Sequence, residues 1–494
     1  MLLSELLRRA QLDATVPETD VEITAVTDRS NQVSPGALFV AIEGVAADGH
    51  TFIGQAVRRG AVVVVGSKPR PPETGKALYL RVAAPRRALA RLLHAFHDFP
   101  MRDMLVIGIT GTNGKTTTAY LAEAILRAAG RRPGLIGTIE YRYGDGADLA
   151  AHTTPHPAVL LQYVLEMRRA GMDALAMEVS SHSLVQDRVE CIPFRVAVLT
   201  NVTHDHLDFH QTRESYIAAK WKFFGDILPR TPTGVAAFNL DDPVGADFHR
   251  RYKGRAVTYG RDPSAMVHPL VVESDRYGVR LRVSVGDQTC AIRSHLCGDF
   301  NVENILAATA AGVAADLPLD AIVAGVESLP GVPGRFERVE TPAPFDIYVD
   351  FAHSPAALDQ VLASARRLVP GGRLICVFGA GGDRDSTKRE PMGAAVARYA
   401  DRAIITKDNS RTEDPRRITA ALARGIEQAA DRRCARYDII LDRGEAIRTA
   451  LGEAQPGDLL FIAGKGHELY ENEGGQLHPW DDRKVIREML NAER

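Results

Sequence analysis

The run Met104 to Tyr120, MLVIGITGTNGKTTTAY, limits what this chain can fold into more than any other stretch. Apolar residues from Met104 to Ile109 give way at Thr110-Gly111-Thr112-Asn113-Gly114-Lys115-Thr116-Thr117 to a helical pattern with apolar Leu121, Ile125 and Leu126. The order is strand, glycine loop, helix. Gly111 and Gly114 lack the side chains that would keep backbone N–H groups away from phosphate oxygens, and the positive end of the following helix points to the same place. Lys115 adds a charge for the outer phosphates, and Thr116 offers a hydroxyl to Mg²⁺. Five residues before Gly114 stands Ile109 rather than the glycine of the common eight-residue loop, so an ordinary glycine turn is the competing reading.

At 494 residues the chain is too long for one core and suggests about three domains. Lys plus Arg (60) nearly balances Asp plus Glu (62), so no global field advertises nucleic acid or an acidic membrane, and nucleotide binding has to be local. Cys191, Cys290, Cys297, Cys376 and Cys434 form no CxxC pair, which argues against a disulfide framework and a zinc site and favours a reducing cytoplasm. No apolar run approaches a membrane span, and MLLSELLRRAQLD becomes charged too soon for a secretory signal. Its leucines, Leu2, Leu3, Leu6 and Leu7, have the spacing of a short amphipathic helix. A cytoplasmic monomer is expected.

Short strands and helices fill residues 1–100, with apolar runs at Ala37 to Ile42 and Ala61 to Val65, a helix around Ala88 to His97 and a linker at Phe99 to Arg102. Across 101–331, strands such as Ala174 to Val179 and Ala197 to Asn201 alternate with helical stretches, the sequence form of a parallel sheet with crossover helices. The turn residues of Ser328 to Gly334 then mark a boundary. Over 332–494 the runs Ile347 to Asp350, Leu374 to Phe378, Ala403 to Thr406 and Asp458 to Ala463 indicate a separate α/β unit.

Glu178 ends the run ALAME and is expected near the carboxyl edge of the central sheet, where ligands of open α/β folds collect. His204, Asp205, His206, Asp208 and His210 crowd into the next turn region. Beside a triphosphate they suit Mg²⁺ or Mn²⁺ as ligands or as supports for ligands; the alternative is a set of polar loop residues. Lys220 in YIAAKWKFF reads, on composition alone, as a solvated helix lysine.

The motifs GTNGKTTT, MEVSSHSLVQDRV, NVTHDHLDFH, GDFNVENILAA, VPGRFE, VDFAHSP, GAGGDRDSTKR, DNSRTEDP and AGKGHE follow one another in an order that resembles the Mur ligase family over nearly the whole chain. The resemblance implies an α/β protein of three domains. They are an N-terminal one for a uridine nucleotide, a central P-loop ATPase domain on a mainly parallel sheet, and a C-terminal Rossmann-like domain for an amino acid. It also implies ATP and Mg²⁺ as cofactors and an acyl-phosphate route to a peptide bond in peptidoglycan precursor synthesis. On it, Gly111, Thr112, Asn113, Gly114, Lys115, Thr116 and Thr117 bind ATP, with Asn301 on the adenine side and Arg335 on the phosphate side. Thr116, Glu178 and His206 hold metal, and Lys220 matches a lysine that the family carbamylates. Thr153, Thr154, Ser180, Gln186 and Arg188 match positions that hold UDP-MurNAc-L-Ala-D-Glu. Ser30 aligns with a uridine-side serine although Asn31 replaces the arginine after it, and Val45, Ala46 and Ala47 line the expected uridine loop, where backbone groups supply the contacts.

Asp408-Asn409-Ser410-Arg411 stands where relatives that add meso-diaminopimelate read Asp-Asn-Pro-Arg. Diaminopimelate has a second carboxylate that lysine lacks, and a guanidinium can pair with it through two parallel hydrogen bonds. Arg389, Gly464 and Glu468 match further contacts to this amino acid, and Ser410 restores a backbone N–H that proline removes. An L-lysine-adding ligase and, in a different class, a nucleotide-gated regulatory protein are the alternatives. Dependence of phosphate release on an amine separates ligase from regulator.

Overall fold

The computed structural model describes residues 1–13, 20–44, 47–203 and 205–492. By contacts the chain divides into two compact units, one of residues 1–257 and 313–317, the other of residues 258–312 and 318–494.

Among the described residues the first unit contains two sheets. Ala25–Thr27, Ala37–Val40, Ala61–Gly66 and Leu78–Arg81 pair in parallel in sequence order. One face is covered by Leu3, Leu6 and Leu7 of the helix Leu3–Arg9 and by Leu89, Leu92 and Leu93 of Pro85–Phe96. Leu2, expected on that apolar face, precedes the helix and is exposed. Leu161 of the helix Pro157–Arg169 joins the same core. Met101, in the stretch expected as a linker, packs instead into the core of the second sheet.

In that second sheet Leu105–Thr110 lies between Phe194–Leu199 and Ala174–Glu178, flanked outside by Val235–Asn239 and Pro133–Ile136, all parallel. These strands are apolar on both faces because helices cover both. Glu140–Tyr143 and Gly146–Leu149 continue it antiparallel. With Leu105–Thr110 central, its carboxyl end and those of its two neighbours put Gly111, Glu178 and Thr200 on one edge. The bonds Val179 N–H to Ile109 O (2.8 Å) and Thr200 N–H to Thr110 O (2.9 Å) hold that edge together.

The second unit opens with an antiparallel ribbon, Val267–Asp275, Gly278–Val285 and Gln288–Ser294, which the expected alternation of strands and helices did not include. Its main sheet runs Glu337–Arg338, Asp346–Asp350, Leu459–Ala463, Leu374–Phe378, Arg402–Ile405, Arg436–Ile439, parallel except for the first strand. Cores lie on both faces. The loops after three adjacent strands carry Arg389, Asp408 to Arg411 and Gly464 to Glu468, so the sheet itself gathers them at its carboxyl edge.

Arg443 and Asp482, both fully buried, pair through Nε to Oδ1 (2.8 Å) and Nη2 to Oδ2 (2.7 Å), and Arg443 Nη2 also donates to Ala463 O, the end of a central strand. Breaking such a pair strands a charge in the core. Asp482→Ala should therefore lose about 3–5 kcal/mol in denaturant unfolding. Glu390→Ala, which breaks an exposed pair with Arg424, should lose less than about 1 kcal/mol.

Candidate active site

Gly111 has φ +154°, and a Cβ there would lie 1.8 Å from Thr200 Oγ1, so only glycine lets the strand turn against its neighbour. Asn201 holds the loop on its other side. Its carbonyl accepts Thr112 N–H (2.8 Å) and its Oδ1 accepts Asn113 N–H (3.0 Å). Those two N–H groups are thus committed within the protein. Gly114 caps the helix Lys115–Ala128 at φ +83°, and Thr118 N–H makes a helical bond to Gly114 O (2.9 Å). Lys115 Nζ curls onto the loop, donating to the carbonyls of Gly111 (3.0 Å) and Thr112 (2.8 Å). Thr116 and Thr117 occupy the first turn, largely buried.

Glu178, the last residue of its strand, is fully buried. Its Oε1 accepts Thr138 N–H (2.7 Å) and its Oε2 accepts Thr138 Oγ1 (3.0 Å). A Cβ on Gly137 would come within 2.6 Å of Oε1, so glycine lets the 137–138 backbone approach the carboxylate. Thr138 Oγ1 also meets Thr153 Oγ1 (3.1 Å), and Thr154 Oγ1 donates to Glu178 O (2.8 Å) while accepting Ser180 N–H (3.0 Å). Arg188 donates Nη1 to Thr154 O (2.7 Å) and Nη2 to Gln186 Oε1 (2.7 Å). Thr153, Thr154, Ser180, Gln186 and Arg188 therefore form one hydrogen-bonded group around Glu178. Burial, then Arg188, His152, Arg86 and Arg29, push His156 down to about 4, which marks this corner as electropositive. Arg29 and Arg86 were not singled out in the sequence, because lone arginines in short helical or turn segments carry no local signal.

Lys220 is buried, not solvated. It sits on the helix Arg213–Lys222 with Nζ 4.6 Å from the Tyr216 ring centroid. Burial first, and Lys115 second, push its ammonium well below the usual lysine range, against the opposing pull of Asp205 and Asp242. Tyr216 OH bonds Thr112 Oγ1 (3.0 Å), linking this helix to the phosphate loop.

His206 and His210 both pack against His182 and Tyr216. His206, at φ +54°, is partly exposed, with Nε2 3.5 Å from Asp205 Oδ2 and its ring 5.0 Å from that of His182. His210 turns inward to Ser181 Oγ (2.9 Å). His204 lies outside the described residues, as do Val45 and Ala46 of the expected uridine loop. Ala47 is exposed, and Ser30 is on a short turn with Oγ bonded to Gln55 Oε1 (2.8 Å).

In the second unit, Asp408, Asn409 and Ser410 are buried behind Arg411, which has φ +52° and donates Nη1 to Gly382 O (2.6 Å). Asn409 Nδ2 donates to Glu468 Oε2 (2.7 Å). Burial and the neighbouring Asp408 push Glu468 up to about 7. Gly464 has φ +111°, and a Cβ there would meet Asp408 Oδ2 at 2.5 Å. Arg389 is already paired, with Nη1 and Nη2 each 2.6 Å from a Glu413 oxygen. No local signal marks this pair, since Glu413 lies 24 residues away. Asn301 spends both ends of its amide nearby, on Cys297 O (2.6 Å) and Asn304 Nδ2 (2.8 Å), and the Arg335 guanidinium lies 4.9 Å over the Phe351 ring.

Strand, glycine turn and helix at the carboxyl edge of a parallel sheet place the first unit among P-loop nucleotide-binding folds. Family descriptions match along the chain in order: "Mur ligase family, catalytic domain" over 22–97, "Mur ligase middle domain" over 109–312, and "Mur ligase, glutamate ligase domain" over 334–466. The chain belongs to the Mur ligase family. It is 41% identical over 494 residues to the UDP-N-acetylmuramoyl-L-alanyl-D-glutamate--2,6-diaminopimelate ligase of Solibacter usitatus, covering 100% of this chain and 99% of that protein. The protein of the same name from Syntrophomonas wolfei is 38% identical over 492 residues, with 100% and 99% covered. A solved structure bearing that name is similar at a TM-score of 0.69 and 31% identity, covering 98% of this chain and 97% of that one.

Proposed function

We propose that this protein is an ATP-dependent ligase that joins meso-2,6-diaminopimelate to UDP-MurNAc-L-Ala-D-Glu. The uridine substrate belongs to residues 1–100, the nucleotide to 101–331 and the amino acid to 332–494. A carboxylate oxygen of the muramoyl dipeptide attacks the γ-phosphorus of ATP, and ADP leaves. The diaminopimelate amine then attacks the carbonyl carbon of the resulting acyl phosphate and gives up a proton. The tetrahedral intermediate collapses to the amide and releases phosphate. Lys115 and the helix start stabilise charge on the moving phosphoryl group, while Thr153, Thr154, Ser180, Gln186 and Arg188 orient the dipeptide.

The residues present fit Mg²⁺. Thr116 and Glu178 offer hydroxyl and carboxylate oxygens, which this hard cation prefers, and the bonds from Thr138 fix the carboxylate in its buried place. His206, whose ring lies 5.0 Å from that of His182 and 6.2 Å from that of Tyr216, would serve as a further ligand. Bound there, the metal supplies positive charge against the phosphate oxygens. Lys220 as an ammonium would oppose that charge. Its burial favours the neutral amine, whose lone pair can bond to CO₂; loss of a proton leaves an anionic carbamate that turns this position into an oxygen ligand.

One observation carries the choice of amino acid: the guanidinium of Arg411 and the carboxylate of Glu468 act on one another in one cluster, a cation and an anion for the carboxylate and the ammonium at the far end of diaminopimelate. Lysine would leave Arg411 without a carboxylate. In a competition assay with both amino acids, diaminopimelate should be preferred, and Arg411→Ala should cost about 2–4 kcal/mol of that preference, roughly 30- to 1000-fold. The KM for ATP should change little. Preference for lysine, or full discrimination in the variant, would remove Arg411 as selector.

Lys220→Ala should be nearly inactive and partly rescued by acetate, which supplies the missing carboxylate oxygens. An active variant, or one that acetate leaves unchanged, would count against the carbamate.

A further inference from the structure

Lys465 is fully buried between Gly464 and Gly466. Both glycines have positive φ, +111° and +52°. A Cβ on the first would meet Asp408 Oδ2 at 2.5 Å and one on the second would meet Phe351 N at 2.7 Å, so the segment can run this close to its neighbours only without side chains at 464 and 466. Between them the lysine points inward. Its Nζ donates to Asn409 Oδ1 (2.9 Å) and Tyr470 O (3.0 Å), and lies 3.6 Å from Asp408 Oδ1 and 3.9 Å from Glu468 Oε2.

The Asn409 amide has two unlike ends. Oδ1 accepts from Lys465 and from Asn472 N–H (2.8 Å), so Nδ2 must face the other way, where it donates to Glu468 Oε2 (2.7 Å). We propose that Lys465 is a positioning residue of the amino-acid site, locking the Asn409 amide and through it aiming the Glu468 carboxylate at the distal ammonium of diaminopimelate. The inference rests on the functional reading above and extends it to a side chain which that reading left without a role.

Electrostatics act in the same sense. Glu468 faces Asp408, which with burial pushes its carboxyl up, and faces Lys465, Asn409 and Arg411, which pull it down; Tyr470 also senses its charge. Asp408 itself is held below the usual carboxylate range because Lys465 and Arg443 outweigh its burial. A Glu468 near 7 is ionised above that pH and able to hold an ammonium, and it protonates and releases the ammonium as the pH falls through it. Taking away the Lys465 charge moves this transition to higher pH.

The test is steady-state kinetics with diaminopimelate, ATP and UDP-MurNAc-dipeptide varied in turn, on the full chain. In the unmodified protein, kcat/KM for diaminopimelate should fall on the acid side near pH 7. Lys465→Met should raise the KM for diaminopimelate about 10- to 100-fold, as expected for loss of a charged hydrogen bond, and move the acid limb upward while leaving the KM for ATP near its original value. In a Glu468→Gln background Lys465→Met should add little. Lys465→Arg, which keeps the cation, should leave the acid limb in place even if Lys465→Met fails to fold. A lower kcat with KM and limb unchanged, equal losses in both backgrounds, or a limb displaced in Lys465→Arg would overturn the role of Lys465. No diaminopimelate-dependent turnover in the unmodified protein would overturn the functional reading, and this role with it.

Discussion

Lys220 and Lys115 present the first unit with an electrostatic problem around which the rest of its site is arranged. An ammonium at Lys220 is opposed first by loss of water and then by the Lys115 charge. The phosphate loop that carries Lys115 is held by Asn201 on one side and by the Tyr216 to Thr112 bond on the other. The proposed solution is chemical: Lys220 would shed its charge and, as a carbamate, reverse it. The parallel sheet makes the arrangement possible, since Leu105–Thr110 and its two neighbours end on one edge.

The second unit answers a different demand with the same architecture. Its strands also end together, but the loops bring opposed charges into contact rather than a glycine turn. Asp408 and Glu468 would repel one another without Lys465 and Arg411. Behind them the Arg443 to Asp482 pair ties two helix starts to the end of Leu459–Ala463, so the loop after that strand begins from a fixed point. Pre-organisation of this kind would let Arg411, in its proposed role, meet a carboxylate without first ordering its loop.

Much of this was legible because the signals are local. The phosphate loop announces itself in eight residues, and Glu178 ends a strand whose apolar run is unbroken. What escaped depends on contacts across sequence. Thr138 and Glu178 are 40 residues apart, and Lys465 and Asn409 are 56 apart. The burial of Lys220 was invisible because its helix is flanked by residues that suit a surface equally well. The ribbon from 267 to 294 was missed because alternating polar residues there broke the apolar runs used to find strands. The contact of His210 with Ser181 likewise spans 29 residues and has no local signal.

In the proposed reaction a carboxylate of the uridine substrate becomes an acyl phosphate. Labelling that carboxylate with oxygen-18 and analysing the released phosphate by mass spectrometry tests it directly. The mechanism predicts one labelled oxygen per phosphate, formed only when the amino acid is present. Unlabelled phosphate, or equal release without an amine, would contradict it.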